Sequence, residues 1–190
     1  MKFRDLSRFG LALALPLAFV ACAAGDEAAD AVEEAAPAAE EAAPAAEEAA
    51  VTLPELSADG VWGHLTSSDY ENWDRWPGTT DQYDGAEPHG AQLTTYVNDV
   101  AAAALASGEA MMPVGAIVVK NNYVGGNLMA VTAMVKTEDF NPDHNNWWFL
   151  KRLTDGTVEA AGRFAGCEGC HGTVAANDYL FNERPAGSGQ

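Results

Sequence analysis

The sequence predicts an α+β fold, built mainly as an antiparallel β-sheet with a few short helices. Short apolar runs rich in β-branched and aromatic residues recur between turn signals, which is typical of strands. The stretches with helical character are too short for a four-helix bundle. The length of 190 residues allows one domain with attached segments.

Two short helices are expected before residue 110. Ser68-Asp69-Tyr70-Glu71 matches a capping box, which predicts a helix that ends at Pro77-Gly78. Asn98 or Asp99 can cap an alanine-rich helix that stops at Gly108.

The strands come from alternating or apolar runs bounded by turn residues. Asp155-Gly156 predicts a hairpin turn between the last two of them. A loop-helix segment follows the last strand and carries a cysteine motif. The predicted strands are residues 91–98, 114–120, 127–136, 146–153 and 157–162.

The first 21 residues are interpreted as an export signal. Three basic residues precede the apolar run 11–20, which is too short to span a bilayer because a span needs about 20 residues. Phe19-Val20-Ala21-Cys22 resembles a lipobox, in which Cys22 is lipid-modified and becomes the mature N-terminus. The alternative is cleavage after Ala23. Either processing predicts a periplasmic protein, and the lipobox predicts a membrane anchor.

Residues 22–56 are predicted to be a disordered acidic tether that leads to a folded domain at 57–190. The segment EEAAPAA at 33–39 is repeated at 40–46, and residues 22–50 hold nine acids and no Lys or Arg. With no large apolar side chain to bury, this stretch cannot build a core. An acidic solubilising leader on a soluble protein is the alternative. The chain's net charge of −18 argues against nucleic acid as a partner.

The motif Cys167-Glu168-Gly169-Cys170-His171 carries the predicted chemistry. It is the attachment pattern of c-type haem, in which two thiols bind the vinyl groups and the histidine binds the iron. A disulfide at this spacing would close almost no loop. A zinc site would need further ligands, and a thioredoxin-like pair should lie near the start of a βαβ unit.

The surroundings of the motif favour an open iron site. No methionine follows Cys170, whereas an electron-transfer cytochrome commonly has one downstream as a ligand. The histidines His64, His89 and His144 each neighbour turn-forming or polar residues. The sequence therefore predicts an iron that binds small molecules rather than one that only passes electrons.

Several runs resemble the cytochrome P460 family, in an order that spans residues 61–182. They are residues 112–120, 133–136, 146–149, 167–171 and 178–181, with 90–98 as a further match. The resemblance implies a mainly antiparallel β fold, usually dimeric, with one covalently bound haem c and an open distal side.

The resemblance also implies two functional branches. In the hydroxylamine-oxidising branch a strand lysine is linked to the porphyrin edge, and Lys120 occupies the corresponding position. In the cytochrome c′-beta branch the link is absent and the protein binds nitric oxide or carbon monoxide. From the residues alone, Lys120 at a strand end is better explained as an ordinary solvent-facing lysine, and the resemblance makes the cross-linked role an equal alternative.

Three functions follow from this reading. The favoured one is a haem oxidoreductase acting on hydroxylamine or a related nitrogen oxide, with a redox partner cytochrome. A gas-binding protein of the c′-beta kind is the alternative, and an electron carrier is the third.

Tyr96 and Arg163 are candidates for haem contact. Four acids in predicted loops are expected to face water: Glu109, Glu138, Asp139 and Asp178.

Overall fold

A computed structural model describes residues 52–109 and 111–181. The predicted export signal, Cys22 and the tether as far as residue 51 lie outside the described residues, so they stay predictions.

Within the described ranges, seven strands form a single sheet in which every pairing is antiparallel. The order across the sheet is β1-β3-β4-β5-β6-β7, and β2 also pairs with β3. The strands are β1 (Asp74–Arg75), β2 (Tyr83–Asp84), β3 (Gln92–Val97), β4 (Ile117–Val124), β5 (Asn127–Lys136), β6 (Trp147–Leu153) and β7 (Val158–Gly162). The predicted fold class is confirmed.

Strand β4 differs from its prediction. It begins at Ile117 rather than residue 114, because Gly115 has a φ of +91° and the backbone turns there. It continues to Val124 through two asparagines whose side chains are bonded: Asn121 accepts from the Tyr70 hydroxyl, and Asn122 donates to backbone carbonyls. Lys120 therefore lies in the middle of a strand and not at its end.

The described residues form three α-helices, which are α1 (Ala58–Ser67), α2 (Asp99–Ser107) and α3 (Ala165–His171). Helix α2 is the predicted alanine-rich helix. Its Asn98 side chain accepts from the backbone N–H of Ala101, and Gly108 ends it in the left-handed region. Of the helices in these ranges, none has the length and apolar character needed to cross a membrane.

The predicted capping box at residues 68–71 was wrong. Ser68 ends helix α1 instead of starting a helix, and its hydroxyl donates to the carbonyl of His64. Asp69 is left-handed and accepts from the side chain of Asn72, so only a 3-10 turn follows at Tyr70–Asn72. Helix α1 is capped by Ser57, whose side chain accepts from the Gly60 N–H.

The alternation of the strands gives the sheet two buried faces. On one face, Ile117 and Val119 of β4 join a core that α1 covers, together with Val61, Leu65 and Trp148. Leu53 also packs against this core. On the other face, Val118 joins a second core with α2 and Trp147, and the segment from α3 onward packs there. The second face carries the candidate site.

Candidate functional site

The cysteine motif lies on α3, three residues after β7 ends at Gly162. Because Cys167 and Cys170 are three positions apart on a helix, their side chains project from neighbouring positions on one face. Both are free thiols; Cys167 is half-buried and Cys170 is exposed. Burial raises the pKa of Cys167, so its thiol stays protonated at neutral pH.

His171 is held in a defined tautomer and orientation. Its side chain is buried between the rings of Phe149 and Phe181, at centroid distances of 5.4 and 5.3 Å. Its Nδ1 lies 2.6 Å from the carbonyl oxygen of Tyr179. A carbonyl only accepts, so Nδ1 carries the proton and Nε2 keeps a lone pair. Burial also lowers the pKa of His171, which keeps the imidazole neutral.

The carbonyl that holds His171 belongs to a segment fixed by Asp178. Asp178 is 1% exposed, contrary to the expectation that it faces water. Its carboxylate accepts from Lys136 Nζ at 2.7 Å and from the Met112 backbone N–H at 2.6 Å, and the Asn145 side chain also donates to it. Trp147 donates to the Asp178 carbonyl at 2.8 Å. The chain after α3 is thereby tied to strands β5 and β6.

A largely apolar cavity of about 390 Å³ lies between α3 and the sheet. It brings together the four folded-domain residues predicted from the sequence: Lys120, Cys167, Cys170 and His171. Val118, Met134 and Phe149 form apolar walls. An adjoining cavity of about 480 Å³ shares Lys120 and Cys170 and extends towards the segment between β2 and β3.

The Lys120 side chain faces this cavity, whereas the sequence suggested a lysine at a strand end that faces solvent. It is half-buried, and its cross-strand neighbours are Thr95 on β3 and Thr132 on β5. Burial lowers the pKa of Lys120, and the negative charge of a Cys170 thiolate opposes that shift. A lysine with a lowered pKa has more of the neutral, nucleophilic amine at neutral pH.

His89 is the main site residue that the sequence discounted. It follows Pro88 in the segment between β2 and β3, and it lines both cavities. Its Nδ1 lies 3.3 Å from Thr132 Oγ1, and its ring centroid is 6.2 Å from that of His171 with the ring planes at 89°. Burial, reinforced by the positive charge of Lys120, lowers the pKa of His89 to about 3.

The turn residues around His89 concealed its role in the sequence. Gly90 has a φ of +100°, and a Cβ there would lie 3.0 Å from the carbonyl oxygen of Tyr123. This glycine lets the backbone pack against β4, and the histidine before it then reaches the cavity. The sequence does hold one signal for this role of His89. The histidine lies between Pro88 and Gly90, just before strand β3, which pairs with the strand that carries Lys120.

Replacing Gly90 with alanine is expected to lower the free energy of unfolding by about 1–3 kcal/mol, because a side chain must adopt a disfavoured backbone conformation in a crowded place. The measurement is a urea unfolding curve. The matched control is Gly63→Ala in α1, where a Cβ meets nothing within 4 Å. Alanine should there be neutral or stabilise by up to about 1 kcal/mol. Equal midpoints for the two variants would contradict the role given to Gly90.

The other residues considered from the sequence lie away from the cavity. Tyr96 is on the opposite face of the sheet, where the Arg75 guanidinium lies 4.0 Å from its ring centroid. Arg163 donates to the carbonyl of Phe140. His64 is on α1, and the His144 ring packs beside Tyr179. Neither Tyr96 nor Arg163 lines the cavity.

The donor set fits a haem. Two thiols on one helix face flank an apolar cavity, and the adjacent buried imidazole presents a nitrogen lone pair. A covalently attached macrocycle needs those two thiols, and an iron within it needs that neutral nitrogen. The apolar walls suit a large flat hydrophobic group.

A comparison with protein families agrees with this fit. The model of the family described as Cytochrome P460 matches residues 67–182, more than half of the chain and most of the described domain. No curated protein matches the chain.

Proposed function

The chain belongs to the cytochrome P460 family, a family of haem proteins, and on that premise we propose that it is an exported monohaem c-type cytochrome acting on small nitrogen species. The favoured activity is oxidation of hydroxylamine or a related nitrogen oxide. The observation that carries the proposal is that both motif cysteines, His171 and Lys120 line one apolar cavity.

In this proposal the two cysteines and the histidine of α3 have separate tasks. The thiols of Cys167 and Cys170 hold the haem covalently, and the sequence contains one such motif, so one haem is bound. His171 would hold the haem iron through Nε2, because Nδ1 is committed to the Tyr179 carbonyl. The bound haem supplies an iron that binds a small nitrogen species and exchanges electrons with it. Phe149 and Met134 keep water away from that region.

Lys120 favours the oxidising branch over the gas-binding branch. Its amine faces the cavity and burial lowers its pKa, which are the conditions under which a lysine becomes a nucleophile. A lysine at the protein surface would lack both. The apolar walls support the second candidate, a protein that binds nitric oxide without turnover, and the state of Lys120 decides between the two.

The matured protein is expected to contain Lys120 covalently joined to the haem, by a step in which one amine N–H and one porphyrin C–H bond give way to a C–N bond and a peroxide-type oxidant takes up the two electrons and two protons. Mass spectrometry of a tryptic digest should show the peptide that contains Lys120 linked to the haem peptide that begins at Phe164. The ferrous absorption band should lie well to the red of ordinary c-type haem, and Lys120→Arg should return it to the ordinary position. Lys151, which lines the same cavity, provides the matched control: Lys151→Arg should leave both signals unchanged. A separate Lys120 peptide in fully matured protein would instead assign the chain to the gas-binding branch.

The location and partners belong to the same proposal. The export signal and Cys22 support a periplasmic protein that is anchored to the membrane by lipid. Residues 51–190 have a net charge of −11, which suits a neutral small ligand and a redox partner cytochrome with a basic surface. A homodimer is the assembly that the family resemblance implies.

A further inference from the structure

The chain makes a strained turn a few residues after α3, at two consecutive residues in the left-handed region of the backbone. Asp178 has a φ of +55° and Tyr179 has a φ of +63°. Aspartate tolerates this region, whereas a bulky residue such as tyrosine rarely adopts it. Strained residues persist only where their surroundings fix them, and they cluster at functional sites. The turn directs the Tyr179 carbonyl at His171 Nδ1, 2.6 Å away.

We propose that the buried Lys136–Asp178 ion pair is a positioning element for His171. The pair holds the left-handed turn, the turn sets the hydrogen bond between Tyr179 and His171, and this bond tunes the reduction potential of the haem iron. Lys136, Asp178 and Trp147 are positioning residues, since they act through the histidine and not on a substrate. This inference rests on the proposed function, because it requires a haem held through His171.

Asp178 is held at both its side chain and its backbone. Its carboxylate accepts from Lys136 Nζ at 2.7 Å, from the Met112 N–H at 2.6 Å and from the Asn145 side chain. Its carbonyl accepts from Trp147 Nε1 at 2.8 Å. These four partners come from three separate segments of the chain. Together they prevent the Asp178 backbone from relaxing out of the left-handed region.

Tyr179 is fixed from its own side of the turn. Its hydroxyl donates to the Asp143 carbonyl at 3.0 Å, its ring packs against that of His144 at a centroid distance of 5.8 Å, and its N–H donates to the Val174 carbonyl at 3.2 Å. The next residue, Leu180, is buried in the second core. The direction of the Tyr179 carbonyl is therefore determined by contacts on both sides of the turn.

A role in stability alone does not explain why the Lys136–Asp178 pair is ionic. Burying two charges costs desolvation free energy, and a well-packed apolar pair of similar volume is often at least as stable. A satisfied polar network supplies direction as well, because it permits one arrangement of its members. Here the network fixes Asp178, which immediately precedes the residue whose carbonyl binds His171.

The hydrogen bond at Nδ1 controls how strongly the imidazole of His171 donates electrons through Nε2. A carbonyl that accepts the Nδ1 proton makes the imidazole a more basic ligand. A more basic ligand favours ferric over ferrous iron, so the reduction potential falls. Loosening the turn is therefore expected to weaken the iron–histidine bond and to raise the potential at which the iron takes electrons from a nitrogen species.

The test uses full-length protein carrying its haem. Resonance Raman spectra of the ferrous form report the iron–histidine stretching band, and a redox titration gives the midpoint potential. Trp147→Phe removes the N–H that donates to Asp178 without changing any charge. The double variant Lys136→Met, Asp178→Asn removes the ion pair without leaving an unpaired charge buried.

In both variants the stretching band should shift to lower frequency and the midpoint potential should rise. In the double variant the reduction equilibrium should shift about tenfold towards ferrous iron, which is about 59 mV for a one-electron couple. Trp148→Phe is the matched control, because it makes the same substitution at the adjacent residue, on the opposite face of the sheet. Its band and potential should equal those of wild type.

Two results would overturn the assignment. Wild-type values of the band and the potential in both Trp147→Phe and the double variant would show that the pair only stabilises the fold. An equal shift in Trp148→Phe would assign the effect to a general loosening of the core. Failure of the proposed function looks different, because acidified acetone would then extract the haem from wild type, before any variant is compared. Neither measurement uses a substrate, so the proposed activity and this assignment are read separately.

Discussion

Replacing Asp178 with asparagine is expected to lower the free energy of unfolding by about 3–5 kcal/mol, because it leaves the Lys136 ammonium charged and buried without its partner. Lys136 and Asp178 side chains are 7% and 1% exposed, and their ion pair measures 2.7 Å. For a domain of this size the loss corresponds to a fall in Tm of roughly 10–20 °C. Differential scanning calorimetry of the haem-loaded protein measures it.

A surface ion pair of similar length provides the control. Arg75 and Asp81 lie 2.7 Å apart, but the Asp81 side chain is 70% exposed, so Asp81→Asn should cost less than about 1 kcal/mol. The double variant Lys136→Met, Asp178→Asn should recover part of the loss, since no unpaired charge remains buried. If Asp178→Asn and Asp81→Asn had the same Tm, the buried pair would not hold the domain together.

Replacing both Cys167 and Cys170 with serine in a Lys120→Arg background is expected to abolish covalent haem, because serine offers no thiol to the vinyl groups and arginine removes the amine proposed to join the porphyrin. Denatured protein should then carry no haem on a gel stained for peroxidase activity, whereas wild type should stain. The result reports on attachment chemistry and not on stability, since Cys167 is only half-buried and Cys170 is exposed.

His171→Ala separates attachment from coordination. Both thiols remain, so the haem should stay on the denatured chain, while the absorption spectrum of the native protein should change through loss of an axial ligand. His144→Ala is the matched control, because the His144 ring packs beside Tyr179 without lining the cavity. An unchanged spectrum for His171→Ala would show that the proximal ligand lies elsewhere.

Much of this fold could be predicted from local patterns. The alternation in residues 91–98 became β3, and the Asn98 cap and Gly108 stop bound α2 as expected. These signals work because each depends on residues close together in the sequence. The capping box failed for the same reason: Ser68 and Asp69 fit both a helix start and a helix end, and the preceding helix α1 had not been foreseen.

Three of the site residues were predictable from one short motif, and Lys120 was predicted through the family resemblance. Cys167, Cys170 and His171 are contiguous, so spacing alone was sufficient to single them out. His89 reaches the cavity through a glycine that packs against Tyr123, and Asp178 is buried by partners on β5 and β6. Both depend on contacts between residues distant in sequence, which a local pattern does not contain.

The two-faced sheet constrains how related sequences can change length. In β4, Val119 points into the core beneath α1 while Lys120 points into the cavity. A single-residue insertion or deletion in this strand would exchange the two faces, placing a lysine in a closed core and an apolar side chain at the cavity. Length changes are therefore expected to be excluded from the central strands and to collect in turns such as Gly125-Gly126, where a Cβ would meet nothing within 4 Å.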